Sequence, residues 1–151
     1  MSLEELYPLK GFKITDVTQT ASGKVLIEAS STSQSAICPY CQTPSHKRHS
    51  SYNRKPQALP CSDTPVQLVL SVQRYFCQDP DCICKTFAER VPDTVSFYAR
   101  RSTCLETALK CIAFEMSAEA ASRVCEQFNV QISADSVLRL IRRTHLSQTE
   151  Q

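Results

Sequence analysis

The sequence predicts an α+β protein, with a small β-rich module over residues 1–92 followed by a three-helix module over residues 93–151. Three observations predict it. Apolar residues alternate at period two before Pro92 and recur at three- and four-residue spacing after about Ser96. Five of the nine cysteines, Cys38, Cys41, Cys77, Cys82 and Cys84, fall in two tight clusters, both in the first part. The second part places Thr103, Ser117 and Ser133 where helices would start. A length of 151 residues suits one ordinary domain or two small ones, with a modest core.

The β elements come first. Gly11–Val17 and Lys24–Glu28 are expected as strands joined by a turn at Ser22-Gly23. The polar stretch Ser30–Ser35 is expected as a loop. In Val66–Gln73, the residues Val66, Leu68, Leu70 and Val72 share one face, as a half-buried strand requires. That strand runs into Arg74-Tyr75-Phe76-Cys77.

Three helices follow. Leu105, Ala108, Leu109, Ile112, Ala113 and Met116 make one apolar stripe, and Thr103 and Glu106 have capping-box spacing. Ser117 can cap a second helix carrying Ala121, Val124, Cys125 and Phe128. Asn129-Val130 would form the next turn, because Asn tolerates left-handed backbone angles. Ser133 can cap a third helix with Val137, Leu140 and Ile141 inward. Its outer face then shows Asp135, Ser136, Arg139, Arg142 and Arg143.

Composition narrows the class. An apolar share of 42% and a charged share of 21% fit a folded, water-soluble chain rather than a disordered one. No apolar run approaches the ~20 residues of a membrane helix, so no membrane association is expected. The acidic start Met1–Glu5, with no apolar stretch after it, is unlike a secretory signal. Nine is an odd number of cysteines, which in such a chain points to metal ligands and reduced thiols rather than a disulfide framework.

Cys38-Pro39-Tyr40-Cys41 is a knuckle that aims two thiolates at one ion. Cys77 and Cys82 form a second, looser knuckle, with Pro80 favouring a turn between them. Four sulfurs make the closed tetrahedral set of structural Zn2+. Cys84 is the rival for the fourth position, and His46 and His49 are near. A redox dithiol at Cys38 and Cys41 lacks the βαβ surroundings of that chemistry. A zinc hydrolase would need an open position with a His or carboxylate ligand, against which a filled thiolate shell argues. Cys61, Cys104, Cys111 and Cys125 are expected as buried thiols.

Net charge is only +2, yet no acidic residue lies between Glu28 and Asp63. That window holds Lys47, Arg48, Arg54 and Lys55, with His46, His49 and Tyr52 interleaved, and is expected as a basic loop suited to phosphates. A solvated loop is the plain alternative. The Ser117–Arg143 segment has helix-turn-helix length. In that motif the N-terminal residues of the last helix meet base edges, here Ser133, Asp135, Ser136 and Arg139. Arg142 and Arg143, further along, suit phosphates, and Arg100 and Arg101 add to the basic character. Helices that only pack or dimerise would show the same periodicity.

Taken together, the chain from about Cys38 to Arg143 resembles the N-terminal region of ISL-three family insertion-sequence transposases. The resemblance rests on Cys38-Pro39-x-Cys41, His49-Ser50-x-Tyr52-x-Arg54, Leu59-Pro60, the Val66–Val72 strand, Arg74-x-Phe76-Cys77-x4-Cys82, Phe87-x-Glu89 and the closing helix-turn-helix, in that order. It implies a zinc-binding part, a DNA-binding part that recognises the element's ends, and bacterial, nucleoid-associated cytoplasmic residence. It also implies a later Asp-Asp-Glu catalytic domain, for which this sequence offers no carboxylate triad. The chain itself is therefore expected to bind double-stranded transposon-end DNA without cutting it. A transposase-derived transcriptional regulator and a zinc-stabilised protein-interaction module, including a homodimer through the helices, are the other readings.

Overall fold

One long strand organises the sheet because four of its apolar side chains, spaced two residues apart, point to one face. In the computed structural model, which describes residues 2–149, β7 runs Thr64–Phe76, and Val66, Leu68, Leu70 and Val72 are each no more than 1% exposed. A short helix α1 (Leu3–Leu6) precedes the hairpin of β1 (Phe12–Gln19) and β2 (Val25–Ser31). Gly23 takes a φ of 85° in the connecting turn, where a side chain would be strained. The paired strands extend to Ser31, so Ser30 and Ser31 belong to β2 and not to a loop.

β2 lies parallel to β7, in the register Val25↔Val66 to Ser30↔Ser71. On the opposite edge of β7 lie β5 (Arg48–Arg54) and β6 (Gln57–Cys61), both antiparallel to it. β8 (Thr86–Ala88) pairs with Arg74–Phe76, continuing the edge that β2 occupies. The expected basic loop is therefore largely an edge strand. Every residue from Arg48 to Asn53 is exposed, so no apolar alternation betrays it in the sequence.

The β core gathers Phe12, Ile27, Ala29, Ala58, Val95 and the inner face of β7. The segment after β8 is held against it: Gln57 N–H donates to Arg100 O at 2.9 Å, and Ser102 N–H to Gln57 O at 2.8 Å. Glu89 is buried and accepts from Gln73 N–H at 2.8 Å and Ser31 Oγ at 2.9 Å, tying β8 to both neighbours.

The helices are α2 (Thr103–Glu115), α3 (Ala118–Gln127) and α4 (Ala134–Thr149). The cap of α2 is Ser102, whose hydroxyl accepts from Leu105 N–H at 3.2 Å; Thr103 instead donates to Pro92 O at 2.7 Å. The cap thus falls one residue before the expected Thr103, and with Leu105 at its third helical position it is a single serine cap and not the expected Thr103–Glu106 box. Ser117 and Ser133 do cap α3 and α4, through Ala120 N–H at 3.3 Å and Ser136 N–H at 3.2 Å. Asn129 takes a left-handed φ of 58° in the turn between them. Leu105, Leu109, Ala121, Cys125, Val137 and Leu140 build a second core. Phe128 and Met116, expected on apolar faces, are 62% and 36% exposed, since each stands at a helix end beyond the packed stripe. Among the described residues no helix is long and apolar enough to cross a membrane.

Candidate metal centre and basic surfaces

Two short hairpins carry the clustered sulfurs. β3 (Ala36–Ile37) and β4 (Pro44–Ser45) frame the first knuckle. Its turn is closed by Gln42 N–H to Cys38 O at 2.9 Å and Cys38 N–H to Thr43 O at 3.0 Å, with Gln42 at a φ of 60°. The second knuckle extends β7 and β8: Cys77 N–H donates to Lys85 O at 2.9 Å, and Cys82 N–H to Asp79 O at 3.3 Å. Ser45 is fully buried and donates to Phe76 O at 2.6 Å, which joins the two hairpins. Tyr75, also fully buried, stacks on Phe87 beneath the cluster and donates to Ser33 O at 3.1 Å.

The sulfurs of Cys38, Cys41, Cys77 and Cys82 all lie within 4.8 Å of one another. Cys38 and Cys82 stand 3.9 Å apart, and Cys41 and Cys77 3.5 Å. A zinc–sulfur bond of about 2.3 Å sets a tetrahedral edge of about 3.8 Å, so the donor set and its spacing both fit Zn2+. Burial pushes the Cys38 thiol up, but backbone N–H groups of Cys41 and Tyr40, with the Cys41 and Cys77 side chains, outweigh it and hold it at about 6.

Cys84 is differently occupied. Its thiol donates to Thr86 O at 3.1 Å, and its own N–H points at Cys82 Sγ at 3.4 Å. Burial, followed by the charge on Cys38, pushes its thiol up. His46 and His49 stay outside the four-sulfur group, and the His49 ring packs edge-on against Phe76. Cys125 is buried as expected, but Cys61, Cys104 and Cys111 are exposed. Cys61 ends β6 beside the turn at Ser62, while Cys104 and Cys111 lie off the inward stripe of α2.

The basic residues divide into a solvent-exposed group and one that is tied down. Lys47, Arg48, His49 and Lys55 are exposed along β5 and its ends, with Lys47 Nζ 5.2 Å from the Phe76 ring centroid and an Arg48 nitrogen 3.2 Å from Ser33 O. Arg54 is engaged. Its guanidinium donates to Ser96 O at 3.0 Å and Ala99 O at 2.8 Å, clamping the loop before α2. On α4, Ser133, Asp135, Arg139, Arg142 and Arg143 are exposed and Ser136 is half-buried. Arg139 pairs with Asp135 at 2.6 Å, both side chains about two-thirds exposed. Such a surface pair contributes at most about 0.5 kcal/mol and releases either partner readily.

An open cleft of about 710 Å³ separates this face of α4 from the loop at residues 96–101. Phe97 and Tyr98, which border it, had no periodicity to draw attention to them. The only signal in the sequence was their position just before Arg100-Arg101.

Residues 34–84 match the family described as the zinc-finger of transposase IS204/IS1001/IS1096/IS1165. The matched segment takes in both knuckles, the basic edge strand β5, and β6 and β7 of the six-stranded sheet. That family is a zinc ribbon of ISL-three type transposases, and the four clustered cysteines of the matched segment fit structural Zn2+. No curated protein and no solved structure matches the chain.

Proposed function

We propose that this chain is the DNA-binding region of a transposase, which recognises double-stranded transposon-end DNA. The carrying observation is the transposase zinc-ribbon match over residues 34–84, within a chain that goes on to an arginine-bearing helix. Cys38, Cys41, Cys77 and Cys82 are the ligands of Zn2+ in this reading. The ion, when bound, supplies a cross-link between two hairpins that have too little apolar surface to hold each other. The Cys84 N–H orients the Cys82 sulfur from outside the shell.

The β module, residues 1–92, and the helical module, residues 93–151, share the work. α3 and α4 act as a helix-turn-helix, with α4 entering the major groove. Ser133, Asp135, Ser136 and Arg139 stand at its leading end and meet base edges; Arg139 leaves Asp135 to do so. Lys47, Arg48, His49 and Lys55, with Arg142 and Arg143, hold phosphates. Arg54 serves indirectly, by fixing the loop that borders α4.

The test compares the zinc-loaded chain's affinity for duplexes carrying the element's terminal repeats and for scrambled duplexes. Terminal repeats should bind more tightly, and Arg139→Ala should narrow the ratio by about 1–3 kcal/mol. Equal affinity for both duplexes, or an unchanged ratio in the variant, would remove the base-reading role.

A further inference from the structure

The loop between β8 and α2 holds two aromatic rings in an arrangement that local folding does not require. Ala99 N–H donates to Ser96 O at 3.0 Å, closing a turn across Phe97 and Tyr98. Tyr98, at the third position, has a φ of 61°. A turn with positive φ there is built for glycine or asparagine, and a bulky side chain is strained in it. Yet the Tyr98 ring is 85% exposed and gains no burial in return. It lies 3.9 Å, centroid to centroid, from the Phe97 ring. The Arg90 guanidinium in turn lies 3.2 Å from the Phe97 centroid. Arg54 fixes the carbonyls on both sides of the pair, so the rings sit on a braced turn.

The surroundings select the ligand. Arg100, Arg101, Arg139 and Arg143 line the adjoining cleft, against one carboxylate, Glu106, which is itself 3.6 Å from Lys110. An apolar protein partner would call for an apolar rim. A strained, solvent-facing ring beside this group of guanidiniums matches a nucleic-acid strand, with a base on the ring and phosphates on Arg100, Arg101 and Arg143.

We infer that the Phe97–Tyr98 turn is a stacking platform for an unpaired base of DNA, with the flanking phosphates held in the arginine-lined cleft. This rests on the DNA-binding reading above and adds a preference to it: DNA with an unpaired base, such as a frayed or overhanging end, over blunt duplex.

The experiment uses the zinc-loaded full chain and two DNAs, a blunt duplex and the same duplex with a short single-stranded overhang containing 2-aminopurine. The probe's fluorescence should be quenched on binding to the wild type. Tyr98→Gly, which suits the turn's backbone and so keeps the fold, should abolish the quench. It should also weaken overhang binding roughly 5- to 150-fold, the range for one stacked base, with blunt-duplex affinity unchanged. Tyr98→Trp should restore both. Equal overhang binding by Tyr98→Gly and wild type would overturn the platform while leaving duplex binding intact. No binding to either DNA would overturn both readings. If Tyr98→Gly instead dissolved a dimer without touching overhang affinity, the turn would be a self-association surface, and the inference would fail.

Discussion

The ligand assignment at the metal centre can be separated from its rival by two serine substitutions. In Cys82→Ser one of four sulfurs within 4.8 Å is lost, leaving three to hold the ion. Structural zinc sites contribute roughly 10–16 kcal/mol, so an even share per thiolate is about 2.5–4 kcal/mol, or on the order of 100- to 1,000-fold in affinity. In Cys84→Ser the lost sulfur is one that donates to Thr86 O at 3.1 Å. A serine hydroxyl can make the same bond, and the backbone N–H at position 84 still reaches Cys82 Sγ. Zinc affinity should then stay within about 3-fold of wild type, well short of the 10- to 100-fold that losing an outer-shell hydrogen bond costs. Competition with a chromophoric chelator measures both. Replacing Zn2+ with Co2+ gives an independent reading, because thiolate-to-cobalt absorption reports the number of sulfurs bound. A larger loss in Cys84→Ser than in Cys82→Ser would refute the geometry of the knuckle.

Two further outcomes follow from the same structure. Arg54→Ala removes both bonds to Ser96 O and Ala99 O and should lower stability by about 1–3 kcal/mol in a denaturant titration, with Arg54→Lys recovering part; an unchanged midpoint would mean the clamp is not made. In the zinc-loaded protein, a thiol reagent should label Cys61, Cys104 and Cys111 quickly and spare Cys125, which is 2% exposed in the helical core. Chelating the metal should then release the knuckle thiols, whereas labelling of Cys125 at the rate of Cys111 would contradict the packing.

Much of this was legible from spacing alone. The period-two face of β7 and the helical stripes are set by burial, and burial leaves a periodic mark in the residue order. The four-cysteine group was legible because zinc geometry needs paired ligands on tight turns. β5 was not, since an edge strand with both faces in water has no apolar alternation to detect. The parallel pairing of β2 with β7 was equally hidden, because each strand's pattern states which face is inward and not which neighbour it joins. Cys84 could be set apart only once the fold showed its thiol turned to Thr86. The exposure of Cys104 and Cys111 could have been foreseen: they stand about 100° and about 120° around α2 from Leu105, together on one flank outside the inward stripe.

DNA binding itself is tested most directly by the salt dependence of affinity for a duplex. Lys47, Arg48, Lys55, Arg142 and Arg143 are the exposed lysines and arginines among the phosphate contacts proposed. About five neutralised phosphates give a slope near −4.5 in log affinity against log salt, or roughly a 500-fold loss between 50 and 200 mM. Replacing Arg142 and Arg143 with alanine should make that slope shallower by about 1.8. DNA binding through these residues should be tight at low salt and fall with this slope. Little affinity at low salt, or a slope that those two substitutions leave unchanged, would contradict it.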